Sequence, residues 1–175
     1  MRSVSGDNPP WHQRKLSGMP PPSTITIRQG TVADIPEISR HRRRMCEDMG
    51  YKDAKALATM ESLTAQYLQK AIPDGSFRSW LACDDDRIAA GGAVVVASWP
   101  PHAYDLECHR ATILNVYTEP EFRRRGIARQ LMQTMIAWCK QEGFARVTLH
   151  ASEHGRHLYQ SLGFVDSNEM RLNLQ

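Results

Sequence analysis

The sequence predicts an α/β fold in which a mixed central sheet is covered by helices on both faces. Three observations point there. Runs of β-branched residues that alternate with polar ones are interleaved with stretches of helical period. Their order is strand, two helices, three strands, helix, strand, helix, strand. The chain's 175 residues, 41% of them apolar, suffice for one ordinary core.

Taken in order, Thr24 to Arg28 alternates Ile25 and Ile27 with polar residues and predicts the first strand. Asp34 is placed to cap a helix, with Pro36 near its first turn and Glu37 three residues on. Ile35, Ile38, Met45 and Met49 carry the apolar stripe to Gly50. A second helix is expected over Glu61 to Ile72, before the Pro73-Asp74-Gly75 break. Phe77 to Cys83 and Ile88 to Trp99 read as strands around a hairpin turn, Asp84-Asp85-Asp86-Arg87. That acidic turn lacks the alternate oxygen ligands and the glycine of an EF-hand loop, so solvation accounts for it and calcium does not. Ala111 to Thr118 is the next strand and Ile127 to Gln141 a long helix. Arg146 to His150 follows as a strand after Gly143. A short helix over about Gly155 to Leu162 ends at Gly163, and Phe164 to Val165 and Met170 to Leu174 are expected to close the sheet.

Residues 1–23 contain Pro9, Pro10, Pro20, Pro21 and Pro22 among polar residues and lack the apolar centre of a secretion signal. They read as a flexible proline-rich arm ahead of a single domain over 24–175; Trp11 is the residue through which such an arm could dock on a partner subunit. A net charge of +3 argues against wholesale nucleic-acid binding, and no apolar run has the length of a bilayer span. The four cysteines, Cys46, Cys83, Cys108 and Cys139, form no Cys-x-x-Cys pair and read as reduced thiols. A soluble, cytoplasmic protein is the expectation.

The chemistry lies in Leu114 to Ala128, where a strand passes through Pro120 and an arginine-glycine turn into a helix. The first amides of a helix have no internal partner and carry its positive dipole end, so an anion there gains hydrogen bonds and charge complementarity together. Gly126 lets the backbone come close, small Ala128 keeps the approach open, and Arg123, Arg124 and Arg125 add charge that does not titrate near neutrality. Neither a nucleoside-triphosphate loop nor a Gly-x-Gly-x-x-Gly dinucleotide loop is present.

Arg123-x-x-Gly126-x-Ala128 after a Val-x-Thr-x-Pro strand end resembles the coenzyme A pyrophosphate loop of the GNAT superfamily of N-acetyltransferases. Leu158-Tyr159-Gln160-Ser161-Leu162-Gly163-Phe164 is similar to that family's Leu-Tyr-Glu-Lys-Leu-Gly-Phe, and the order of elements over Thr24 to Leu174 matches. The resemblance implies a splayed parallel strand pair, Ala111 to Thr118 and Arg146 to His150, whose gap takes acetyl-CoA as cosubstrate. Val116, Tyr117 and Thr118 would hold the pantetheine arm, and Arg123, Arg124, Arg125, Gly126, Ile127, Ala128 and Arg129 the pyrophosphate. Tyr159 takes the position of the general acid: a phenol with pKa near 10 can donate to a thiolate whose conjugate acid titrates near 8.5. Ser152 stands where relatives often carry an asparagine that contacts the pantetheine. Thr112 stands where histone-acetylating members carry a glutamate base, so that base does not carry over. Asn115 and Tyr117 share one strand face and could orient water; Glu47 and Asp48 lie near the acceptor side.

The expected reaction is transfer of an acetyl group to a primary amine, on a small molecule or a peptide, by direct attack on the thioester. The first helices and the Trp99-Pro100-Pro101-His102 loop are expected to shape the acceptor pocket, and the resemblance allows a homodimer. Two alternatives compete: an acyl-CoA-binding sensor without catalysis, and a basic nucleic-acid module suggested by Arg40-His41-Arg42-Arg43-Arg44. Helical periodicity spreads those five side chains around the cylinder, which disfavours the second. His150, His154 and His157 span a strand end, a loop and a helix start, so no metal site is expected of them.

Overall fold

A computed structural model of the protein describes residues 24–103 and 105–174, so the proline-rich arm lies outside the described residues. The strands are β1 (Ile25–Gln29), β2 (Phe77–Asp84), β3 (Arg87–Ser98), β4 (His109–Thr118) and β5 (Val147–Leu149). The helices are α1 (Ile35–Asp48), α2 (Ala54–Ala71), α3 (Ile127–Gln141) and α4 (Glu153–Ser161). The strands pair in chain order, antiparallel from β1 to β4 and parallel between β4 and β5. The predicted mixed sheet is therefore formed.

Two-residue alternation along the strands feeds two cores. Trp80, Ala82, Val94, Ala111 and Ile113 pack with Leu131, Met132 and Met135 of α3 on one face. Phe77, Leu81, Cys83 and Ala93 pack with Ile35 and Ile38 of α1 and Leu68 and Ala71 of α2 on the other. Gly91 and Gly92 of β3 let both layers approach the sheet at one place. A Cβ on Gly91 would stand 3.0 Å from His41 Nδ1 on α1, and one on Gly92 would stand 2.8 Å from Met135 Cε on α3.

Three expectations need correction. The second helix begins at Ala54, because Asp53 accepts 3.0 Å hydrogen bonds from the amides of Lys55 and Ala56 and nucleates it two turns early. Asp34 stands at the N-cap of α1, but its carboxylate turns away from the helix. It accepts from the Thr31 amide at 2.8 Å and from both ends of the Arg28 guanidinium at 2.7 and 2.9 Å. The closing strands over 164–165 and 170–174 are not formed. Alternation supplies Met170, Leu172 and Leu174, but a strand also needs a ladder partner; here these residues and Val165 are exposed.

The Arg28–Asp34 pair ties β1 to the start of α1, and the guanidinium holds the Asp34 carboxyl down at about 2. A depressed carboxylate stabilises the fold above its ordinary range and loses that contribution as pH falls through the folded value. Because Arg28 is half exposed, the effect is modest. Asp34→Asn should lower stability at pH 7 by about 1 kcal/mol, with the difference shrinking below about pH 4 and vanishing near pH 2. Urea denaturation of both proteins across that range checks this; a pH-independent difference would assign the effect to packing.

Candidate active site

The β4–β5 ladder runs from Ala111–Val147 to Ile113–Leu149 and then stops, while β4 continues five residues to Thr118. The strands part there. On its other side β4 carries a bulge at the same level: Leu114 pairs with Ala93 and Tyr117 with Gly91, so Asn115 and Val116 together face Gly92. Asn115 is left-handed, with φ of 56°, and buried. The extra residue turns Asn115 and Tyr117 toward α1, where Arg42 Nη1 donates to Asn115 Oδ1 at 2.6 Å and the His41 ring lies 5.1 Å from that of Tyr117.

At the far end of β4 the chain passes through left-handed Arg124 (φ 61°) and Gly126 (φ 79°) into α3. The first helical hydrogen bond is from the Gln130 amide to the Gly126 carbonyl, at 3.2 Å. The amides of Ile127, Ala128 and Arg129 precede it and have no partner within the helix. A Cβ at Gly126 would meet nothing within 4 Å, so its glycine is required by the φ angle and the space beside it is open. Ile127 is buried in the α3 core, which leaves its main chain for a ligand. Arg124 is exposed, the Arg125 guanidinium lies 5.2 Å over Phe122, and Arg129 Nη2 donates to Ser161 Oγ at 2.7 Å, joining α3 to α4.

Other side chains singled out by sequence have partners within the chain. Arg123 Nε donates to the Thr118 carbonyl at 2.9 Å and Nη2 to Asp48 at 2.5 Å, so it braces β4 against the end of α1. Glu47 pairs with Arg43 at 2.9 Å. The Ser152 hydroxyl caps α4 by accepting from the Gly155 amide at 3.2 Å. Tyr159 is half-buried on α4 with its ring edge-on to Phe164 at 6.1 Å, and burial raises its hydroxyl pKa, which keeps it protonated at neutral pH. Its ring passes over Gly155, where a Cβ would come within 2.7 Å of Cε2.

A cluster at the α1–β4 junction escaped the sequence reading. His41 is 2% exposed, with Nε2 at 3.2 Å from Glu37 Oε1 and 3.3 Å from Glu119 Oε1, yet neither ring nitrogen has a well-aligned hydrogen bond. Arg40 Nη2 donates to the same oxygen of Glu37 at 2.5 Å and to that of Glu119. These ligand atoms are close enough to enclose a cation, but the guanidinium already occupies both carboxylates. Arg40 holds the Glu37 carboxyl below its ordinary range, and burial pushes the His41 imidazole down against the pull of the two glutamates. The legible signal was Glu37 and His41 four residues apart on one helix face.

Between α1, α2 and the sheet lies a cleft of about 1010 Å³ that reaches the gap through Thr112, Leu114, Asn115 and His150. Its walls are mainly apolar. The Trp99–His102 loop, expected to help shape it, is absent from the lining; Trp99 instead lies under the Arg110 guanidinium at 4.2 Å. Among the described residues no helix is long and apolar enough to cross a membrane.

A model of the Acetyltransferase (GNAT) family matches residues 44–164. The chain is 26% identical over 122 residues to human N-acetyltransferase 8, covering 68% of this chain and 50% of that protein, so it spans half the length of that relative. Among solved structures, a GCN5-related N-acetyltransferase from Ralstonia eutropha JMP134 superimposes with a TM-score of 0.80 at 33% identity, covering 86% of this chain and 99% of that one. A predicted acetyltransferase from Clostridium acetobutylicum, solved with acetyl-CoA, gives a TM-score of 0.80 at 26% identity, covering 86% and 97%. With the parted strands, the bulge and the left-handed turn in place, these matches establish that the chain belongs to the acetyltransferase (GNAT) family.

Proposed function

We propose that the protein is an N-acetyltransferase that moves an acetyl group from acetyl-CoA to a primary amine by direct attack on the thioester. One observation carries it: a gap between β4 and β5 has a strand bulge at one end and an open, left-handed arginine-glycine turn at the other. The open space beside Gly126, the amides of Ile127, Ala128 and Arg129, and the charges of Arg124 and Arg125 suit a pyrophosphate. Freed main-chain groups of Val116 and Thr118 suit an extended pantetheine arm, although the Thr118 carbonyl already accepts from Arg123. The solved relative with acetyl-CoA supports the same ligand.

In the transfer, the amine nitrogen bonds to the thioester carbon, the carbon–sulfur bond breaks, and the thiolate takes its proton from the Tyr159 hydroxyl. The proton lost by nitrogen passes through water and restores the Tyr159 hydroxyl. Stripping a proton from an alkyl ammonium at pH 7 costs about 4 to 5 kcal/mol, so an apolar cleft that disfavours the charged amine lowers part of that barrier. Glu47 is paired with Arg43 and Asp48 with Arg123, so neither is assigned the proton-accepting role.

Acetyl-CoA should raise the melting temperature, and thiol should be released on adding an amine from a panel of acceptors. Binding without thiol release across the panel would mark a sensor, and no binding would remove the proposal. Tyr159→Phe should lower kcat about a hundredfold with acetyl-CoA affinity unchanged. Gly155→Ala should act in the same direction, by about tenfold, because its Cβ displaces the Tyr159 ring. Stopped thiol assays and calorimetry on both variants check this; unaltered turnover in Tyr159→Phe would remove the tyrosine's role.

A further inference from the structure

We infer that the acceptor is a primary amine carrying a carboxylate on an apolar body, and that Arg42 holds the carboxylate. This rests on the transferase reading above. The arginines of α1 differ in their surroundings. Arg40 sits between Glu37 and Glu119, and Arg43 between Glu47 and Glu61. Arg42, half-buried and lining the cleft, has no carboxylate partner among the described residues. Its guanidinium donates to a neutral oxygen, Asn115 Oδ1, at 2.6 Å.

A guanidinium has five N–H donors in a rigid fork, so fixing one nitrogen on Asn115 aims the rest while leaving donors for a planar anion. Asp53 lines the same cleft but does not supply that anion, because its carboxylate caps α2 through the amides of Lys55 and Ala56. Holding a cation against apolar walls without a counter-charge is unfavourable, and a ligand carboxylate removes that cost. The walls themselves are Met60, Leu63, Tyr67, Phe77, Val95 and Leu114. Leu63 and Tyr67 are 58% and 48% exposed, surface that an apolar body would cover. Asn115 belongs at once to the bulge beside the gap and to the Arg42 contact, so a carboxylate on Arg42 brings a nearby amine toward the gap's mouth.

The test compares L-phenylalanine with phenethylamine, which has the same ring and amine but no carboxylate, as acceptors with acetyl-CoA. The wild-type kcat/KM should favour L-phenylalanine by at least about tenfold. Arg42→Met should bring the ratio near one, and Arg42→Lys, which keeps the charge without the fork, should give an intermediate ratio. Lys55→Met, at the exposed mouth of the same cleft, should leave the ratio unchanged. The proposal is overturned if the wild type does not discriminate, if the preference survives Arg42→Met, if Lys55→Met abolishes it, or if neither amine turns over while acetyl-CoA binds. Calorimetry with acetyl-CoA on each protein shows that the variants are folded. Failure of the wild type itself to bind acetyl-CoA would instead remove the transferase reading.

Discussion

The site depends on one constraint, that β4 cannot stay paired on both sides beyond Ile113. The parallel ladder with β5 ends there, and within two residues the bulge at Asn115 changes the twist and the facing of the strand. A bulge leaves ladder groups unmatched, and buried main-chain donors and acceptors are costly when unpaired, so it persists only where surrounding packing over-determines it. That packing comes from both faces. Gly91 admits His41 of α1 and Gly92 admits Met135 of α3, so two helices clamp β3 opposite the irregularity. The consequence for function is a length of β4 edge, beyond Ile113, that is left open between two neighbouring strands.

Charge is arranged around that edge with little left over. Read along the chain, Arg40-His41-Arg42-Arg43-Arg44 resembles a polybasic patch. Folded, Arg40 and Arg43 are neutralised by carboxylates from α1, α2 and the end of β4, and His41 is buried beneath Tyr117. What remains is Arg42 turned into the cleft and exposed Arg44. A nucleic-acid surface needs several solvent-facing cations in register with phosphates, and this helix does not offer them. The same accounting separates the loop arginines: Arg123 acts as a brace, while Arg124 projects into solvent from a left-handed residue.

The parts legible in the sequence were those whose signals are local. The α3 boundaries, Ile127 to Gln141, follow from helical periodicity begun by Gly126 and ended near Gly143. The hairpin at Asp85 and Asp86 follows from turn chemistry, with Asp85 left-handed at φ 51°. The features that escaped are set by partners distant in sequence. The bulge was invisible because Leu114 to Thr118 alternates like any strand, and only its register against β3 exposes the extra residue. Burial of His41 depends on Glu119, far along the chain. The tail over 170–174 erred the other way, since its alternation is strand-like but β5 offers it no ladder. The early start of α2 was a local signal, the Asp53 cap, masked by a weak apolar stripe that buries Leu57, Leu68 and Ala71 only.

These contacts also fix how firmly each end of the site is held. Among the described residues, charged and polar side chains tie helix α1 to β4 and the loop after it through the Glu37–Arg40–His41 cluster on Glu119, Arg42 on Asn115, and Asp48 on Arg123. Glu119 is 8% exposed, and hydrogen bonds to charged groups in such surroundings contribute about 1.5 to 3 kcal/mol. Asp48 and Arg123 are 47% and 41% exposed, and an ion pair that open to water contributes about 1 kcal/mol or less. The Asp48–Arg123 pair is thus the weaker tie, and the turn after β4 is kept in place besides by the Arg123 bond to the Thr118 carbonyl and by buried Phe122. Both ends of the gap are therefore shaped by the chain's own contacts, the bulge through Arg42 on Asn115 and the turn through Arg123 and Phe122, so their geometry is set by the fold.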